Sequence, residues 1–142
     1  MNKIIKYLLI TSFLIILTGC NNQKINAINE VEKSMKIVIN DNEYDIFFED
    51  NETAKSFINL LPKEFDMIEL NGNEKYVYLD TNLPTNPSSI QKVNIGDVML
   101  YNNNCLVIFY KSFNTSYSYT KIGHINDLPN LSNNNIKVLF KK

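Results

Sequence analysis

Beyond residue 34 the chain is patterned mostly at period two, the spacing at which side chains of a strand share a face. Tyr44, Ile46 and Phe48 alternate onto one side, and residues 35–39 and 44–49 flank the polar turn Asn40-Asp41-Asn42. Together they predict two paired strands. The period then changes. Ala54, Phe57, Ile58 and Leu61 fall at i, i+3, i+4 and i+7, the stripe of one helix. Asp50 or Asn51 suits its N-cap, Glu52 its positive end, and Pro62 stops it. Strands at 65–70 and 75–79 bracket Asn71-Gly72, a strong hairpin signal. Strands at 98–101 and 105–110 flank Asn102-Asn103-Asn104. The 105–110 run is apolar on both faces, which places it centrally in its sheet. Strands at 117–125 and 136–141 complete the set.

Two loops stand between these elements. Residues 81–94 carry Pro84 and Pro87 and are too many for a tight turn, so they read as an ordered functional or covering loop. Residues 112–116 are a short polar loop. Eight evenly spaced strands with a single helix and no internal repeat predict a mainly β fold, a small eight-stranded barrel with one α-helix.

The first twenty residues obey a different pattern. Lys3 and Lys6 precede an apolar run at 7–17, too short to favour a spanning helix, and Leu17-Thr18-Gly19-Cys20 follows. That tetrad resembles the bacterial lipobox. The resemblance implies a lipoprotein signal peptide at 1–19, cleavage before Cys20, and lipid on its thiol; the competing reading is an uncleaved membrane helix. Two or three acyl chains, such as diacylglycerol plus palmitate, make a stable anchor, whereas one binds only marginally. Residues 20–34 then read as the lipidated Cys20 and a flexible tether, its ends roughly 20 Å apart, and residues 35–142 as one domain. The expected location is the extracytoplasmic face of the cell membrane.

Charge narrows the partners. Loss of Lys3 and Lys6 leaves 12 basic residues against 15 acidic, a net near −3, with no basic footprint for nucleic acid. Every basic residue is a lysine; the chain has no arginine. With Cys20 consumed by lipid, Cys105 has no partner for an internal disulfide and reads as a buried small hydrophobe.

Chemistry is sparse. His124 is the only histidine, with no metal-ligand spacing around it, and the 4 glycines form no phosphate loop. No catalytic residues, metal or cofactor are therefore assigned. One stretch invites a ligand, Tyr110-Lys111-Ser112 through Tyr117-Ser118-Tyr119. Tyr117 and Tyr119 share a strand face and, with Tyr110 on the preceding strand, are expected to wall an aromatic groove with Lys111 and Ser112 as polar handles. The alternative is that these tyrosines pack the barrel with hydroxyls at its rim.

Several segments resemble the cyclophilin-like barrel domains of bacteria. They are Asp50-Asn51-Glu52-Thr53-Ala54, Leu70-Asn71-Gly72-Asn73-Glu74-Lys75-Tyr76, Leu83-Pro84-Thr85, Gly96-Asp97-Val98-Met99-Leu100-Tyr101, Cys105-Leu106-Val107, Phe109-Tyr110-Lys111-Ser112-Phe113 and Thr115-Ser116-Tyr117-Ser118-Tyr119-Thr120-Lys121-Ile122-Gly123. They follow in order across the domain. The resemblance implies an eight-stranded barrel, no settled activity, and a kinship with barrels attached to flavodoxin-like domains. After Gly123 the family pattern has a basic residue, often arginine; here it is His124. Cyclophilins proper isomerise prolyl bonds with an arginine, and lysine does not reproduce its planar fork. The expected function is a non-catalytic module for a small-molecule or peptide ligand. The alternatives are a divergent prolyl isomerase or other enzyme using the same groove, and an accessory subunit of a redox flavoprotein system.

Overall fold

The computed structural model describes residues 34–142. The expected signal peptide, Cys20 and all but the last residue of the tether lie outside the described residues. In chain order the elements are β1 (Ser34–Ile39), β2 (Asn42–Phe48), α1 (Glu52–Ile58), β3 (Lys63–Leu70), β4 (Glu74–Tyr78) and β5 (Ser88–Ser89). There follow β6 (Lys92–Val93), β7 (Asp97–Tyr101), β8 (Cys105–Phe109), β9 (Phe113–Asn114), β10 (Ser118–Ile125) and β11 (Ile136–Phe140).

The eight longer strands run in the order β2-β1-β11-β3-β4-β8-β7-β10, and β10 pairs back onto β2. All pairings are antiparallel, so the sheet closes into a barrel and leaves no long edge. Closure needs β10 to change neighbours along its length. Its register against β7 slips between Lys121 and Gly123, a bulge that turns the strand toward β2. A side chain on Gly123 would put Cβ 2.6 Å from the Phe47 carbonyl oxygen, so glycine lets the two backbones meet.

Alternation sorts the strands into two apolar clusters. The barrel interior is filled by residues from all eight strands, among them Ile37, Ile46, Met67, Leu100, Leu106, Ile108, Ile122 and Val138. β8 lies between β4 and β7 and is buried throughout, as its two-sided apolar run requires. Its other face, with those of β7 and β10, carries the second cluster of Val93, Met99, Cys105, Val107, Phe109 and Tyr119.

α1 closes one end of the barrel. The Asn51 side chain caps it by accepting from the Ala54 amide at 2.8 Å, while its Nδ2 donates to the Lys121 carbonyl at 2.9 Å. Phe57 meets the Phe140 ring edge-on at 5.0 Å and also contacts Phe48 and Phe65. The helix is shorter than its stripe, ending at Ile58 rather than at Leu61. A residue before proline avoids the helical region, so the chain tightens, with Leu60 and Leu61 amides donating to the Phe57 and Ile58 carbonyls. Leu61 is nonetheless buried.

The loop at 81–94 is ordered against the barrel. The Thr53 hydroxyl donates to the Pro84 carbonyl at 2.7 Å, and the Asn86 amide donates to the Thr120 hydroxyl at 3.0 Å. β5 pairs with β10, and β6 pairs with β9. The stretch at 112–116, expected as plain loop, thus supplies a short strand that ties the covering segment down.

Candidate functional site

The outer face of β4, β8, β7 and β10 carries a cleft of about 300 Å³, at the small end of the range for ligand pockets. Period two on β4 sends Glu74, Tyr76 and Tyr78 to this face. Register then explains the hollow. Tyr78 pairs with Cys105, and Cys105 pairs with Tyr101 on its other side. A small residue thus stands between two tyrosines whose backbones are about 10 Å apart, two strand spacings. Two residues along, Val107 stands between Tyr76 and Met99. Cys105 and Val107 form the floor, Tyr76 and Tyr78 one wall, and Tyr101, Tyr117 and Tyr119 the other.

The walls are held by ring contacts. Tyr76 and Tyr78 meet edge-on at 5.8 Å, as do Tyr101 and Tyr117 at 5.9 Å, while Tyr101 and Tyr119 are tilted at 5.7 Å. Tyr119 also stands perpendicular to Phe109 at 5.5 Å, which fixes it to the second cluster. Tyr78 and Tyr117 are mostly exposed, so the rim is open to a ligand. A second, more open hollow of about 730 Å³ adjoins the first and shares Tyr101 and Tyr117 with it.

Three groups here are displaced from their ordinary ionisation. Burial and the nearby Glu74 push the Cys105 thiol up to about 11. Burial pushes the Tyr119 hydroxyl up to about 12, with Glu74 adding to the effect. Burial also raises the Glu74 carboxyl above its usual 4.5, and Glu69 adds to it. In all three, burial works against the charged form.

The residues expected to wall a groove divide between two places. Tyr117 and Tyr119 share the cleft wall. Tyr110 belongs to the interior cluster on the opposite face, where its hydroxyl donates to the Glu69 carboxylate at 2.9 Å. Lys111 and Ser112 follow it on the exposed surface; the Lys111 ammonium lies 5.8 Å from the Tyr110 ring centre, and the Ser112 hydroxyl accepts from the Ile95 amide. Tyr110 comes after an odd number of steps from Cys105, so alternation sends it inward with Leu106 and Ile108. Sequence reading missed Glu74, Tyr76, Tyr78 and Tyr101. The period-two spacing of Glu74, Tyr76 and Tyr78 was a usable signal; their approach to Tyr117 and Tyr119 across two intervening strands had none.

Opposite the helix, the other end of the barrel holds a second polar assembly. Lys75, fully buried, donates to the Glu69 carboxylate and to the Ser132 and Asn134 carbonyls at 2.6 and 2.7 Å. Burial works to raise the Glu69 carboxyl, but hydrogen bonds from Lys75, Tyr110 and the Gly72 amide outweigh it and leave it below its usual value. Every donor of Lys75 is thus engaged within the barrel, on the face away from the cleft.

A search of curated proteins finds no match to the chain. The family model described as the cyclophilin-like family matches residues 37–141, from within β1 to just past β11. The match takes in the closed barrel from Ile37 onward, including both walls of the tyrosine cleft, and the chain belongs to the cyclophilin-like family.

Proposed function

We propose that this protein is an extracytoplasmic lipoprotein, anchored in the cell membrane through Cys20, whose barrel binds a small molecule or a peptide segment in the tyrosine cleft without transforming it. The observation that carries the reading is the cleft itself, with five tyrosines around a floor of Cys105 and Val107. Tyrosine gives a rigid contact surface with a polar tip, well suited to binding at low entropic cost.

The groups at the cleft favour binding over catalysis. A thiol with a pKa of about 11 is almost wholly protonated at neutral pH and is a poor nucleophile. The Tyr119 hydroxyl, held to about 12, is a hydrogen-bond donor and not a base. The arginine that would polarise a prolyl amide has no counterpart in a chain without arginine.

The test begins with mass spectrometry of any ligand retained through purification, then compares the wild type with the double variant Tyr117→Phe, Tyr119→Phe. The rings stay, so the unfolding midpoint should change little. Affinity should fall by about 0.5–1.5 kcal/mol per hydroxyl that bonds the ligand. Unchanged affinity would mean that neither hydroxyl bonds the ligand, and affinity unchanged in Tyr117→Ala as well would place the ligand elsewhere. A clear acceleration of prolyl isomerisation, abolished by substitution in the cleft, would replace binding with catalysis; the uncatalysed step takes tens to hundreds of seconds, so even modest catalysis would be visible.

A further inference from the structure

We infer that the ligand presents an organic ammonium group, seated among the tyrosine rings with the Glu74 carboxylate as its counter-charge. The inference rests on the binding-module reading and specifies what the cleft recognises. Tyr76, Tyr78, Tyr101, Tyr117 and Tyr119 surround the cleft from two sides, and Glu74 lines the same space. The faces of aromatic rings are electron-rich, and a cation within about 6 Å of several of them is attracted without needing a directed bond.

Glu74 supplies the second observation. Its side chain is half-buried and makes no hydrogen bond or ion pair among the described residues, while its backbone pairs with Leu70 and Phe109. The adjacent lysine offers no help, because alternation turns Lys75 through the barrel wall to Glu69, Ser132 and Asn134. A partly desolvated carboxylate without a partner is costly, and a cation arriving from solvent relieves that cost. The raised ionisation of the Glu74 carboxyl is the expected mark of such an uncompensated group. A neutral apolar ligand would leave it uncompensated and would be served better by aliphatic walls.

One chemistry has two sources, a small amine or a lysine side chain on a peptide. The test therefore uses two charged and neutral pairs. The first is choline against its isostere with carbon in place of nitrogen. The second is a lysine-bearing peptide against the same peptide with that lysine acetylated. Each is titrated against the purified full chain by calorimetry and by tyrosine fluorescence, which no tryptophan obscures. The charged member of at least one pair should bind about tenfold more tightly than its neutral partner, and the pair that shows it identifies the source. Glu74→Gln should bring that ratio close to one. Tyr78→Ala and Tyr117→Ala, at positions 65% and 60% exposed, should weaken the cation without unfolding the barrel.

Equal binding of charged and neutral probes, or a ratio that survives Glu74→Gln, would overturn the inference while leaving a tyrosine cleft that binds neutral ligands. Failure of both cations to bind at millimolar concentration would overturn it as well. The binding-module reading is judged separately, on the retained ligand and the tyrosine double variant.

Discussion

Lys75 holds its ammonium 4.6 Å above the centre of the Tyr110 ring, inside the barrel and out of contact with water. Glu69 completes the group by pairing with Lys75 and accepting from the Tyr110 hydroxyl. Two carbonyls of the 130–135 loop, those of Ser132 and Asn134, take the remaining lysine protons and hold that loop over the barrel end.

Lys75→Met should therefore be severe despite its similar bulk. It takes the buried ammonium from the Glu69 carboxylate, which keeps only the Tyr110 hydroxyl and the Gly72 amide, and from two loop carbonyls. Breaking a buried pair from one side costs about 3–5 kcal/mol. Equilibrium denaturation of the variant would show this as a lower midpoint, with faster hydrogen exchange in the 130–135 loop. A midpoint matching the wild type would mean that the assembly is not a keystone of the barrel end.

The same group contributes to the acid limb of stability. The Glu69 carboxyl is lowered in the folded protein from its usual 4.5. A carboxyl of that kind stabilises the fold fully above its unfolded value and loses the contribution as pH falls through the folded one. Thermal midpoints should thus hold down to about pH 5 and decline below the usual carboxyl value. At the alkaline side the sign reverses. The Tyr110 hydroxyl is raised from 10.0 to about 12 by burial first and then by Glu69. Its contribution is complete below the unfolded value and is lost as pH rises through the folded one. Ultraviolet titration should find Tyr110 with Tyr119 among the late-ionising tyrosines, and Tyr110→Phe should reduce that component by one tyrosine.

Two glycines with left-handed backbone should respond differently to alanine. At Gly72, with φ +70°, an added Cβ has only Asn133 Oδ1 near it, at 4.0 Å. Gly72→Ala should cost about 1–2 kcal/mol, the backbone penalty alone. At Gly96, with φ +89°, the Cβ would lie 2.2 Å from the Ile125 carbonyl oxygen. Gly96→Ala must also push β10 away from its neighbour, so its loss of stability should be clearly the larger. Paired chemical denaturation curves decide it, and equal losses would contradict the contact at Ile125.

The proposed anchor has its own test. Cys20→Ala should abolish incorporation of labelled lipid and shift the protein out of the membrane fraction. A variant that stays with membranes as the wild type does would overturn the lipoprotein reading.

Much of this protein was decided by local order along the chain. Period-two patterning and one two-sided apolar run marked the barrel strands, Asn71-Gly72 marked a hairpin because both residues tolerate positive φ, and Asn51 marked the helix start by its capping side chain. These are short-range effects that a residue exerts on its neighbours. The fate of each tyrosine was of another kind. Tyr110 and Tyr119 lie in one aromatic stretch of sequence, yet they end on opposite faces of the barrel wall. Tyr78 and Tyr101, from strands on either side of β8, end on one cleft beside Tyr117 and Tyr119. Which tyrosines meet depends on strand order and register, and those are fixed only when the sheet closes and one face of every strand must be buried at once. The same closure turned Lys75 inward and left Glu74 facing the cleft.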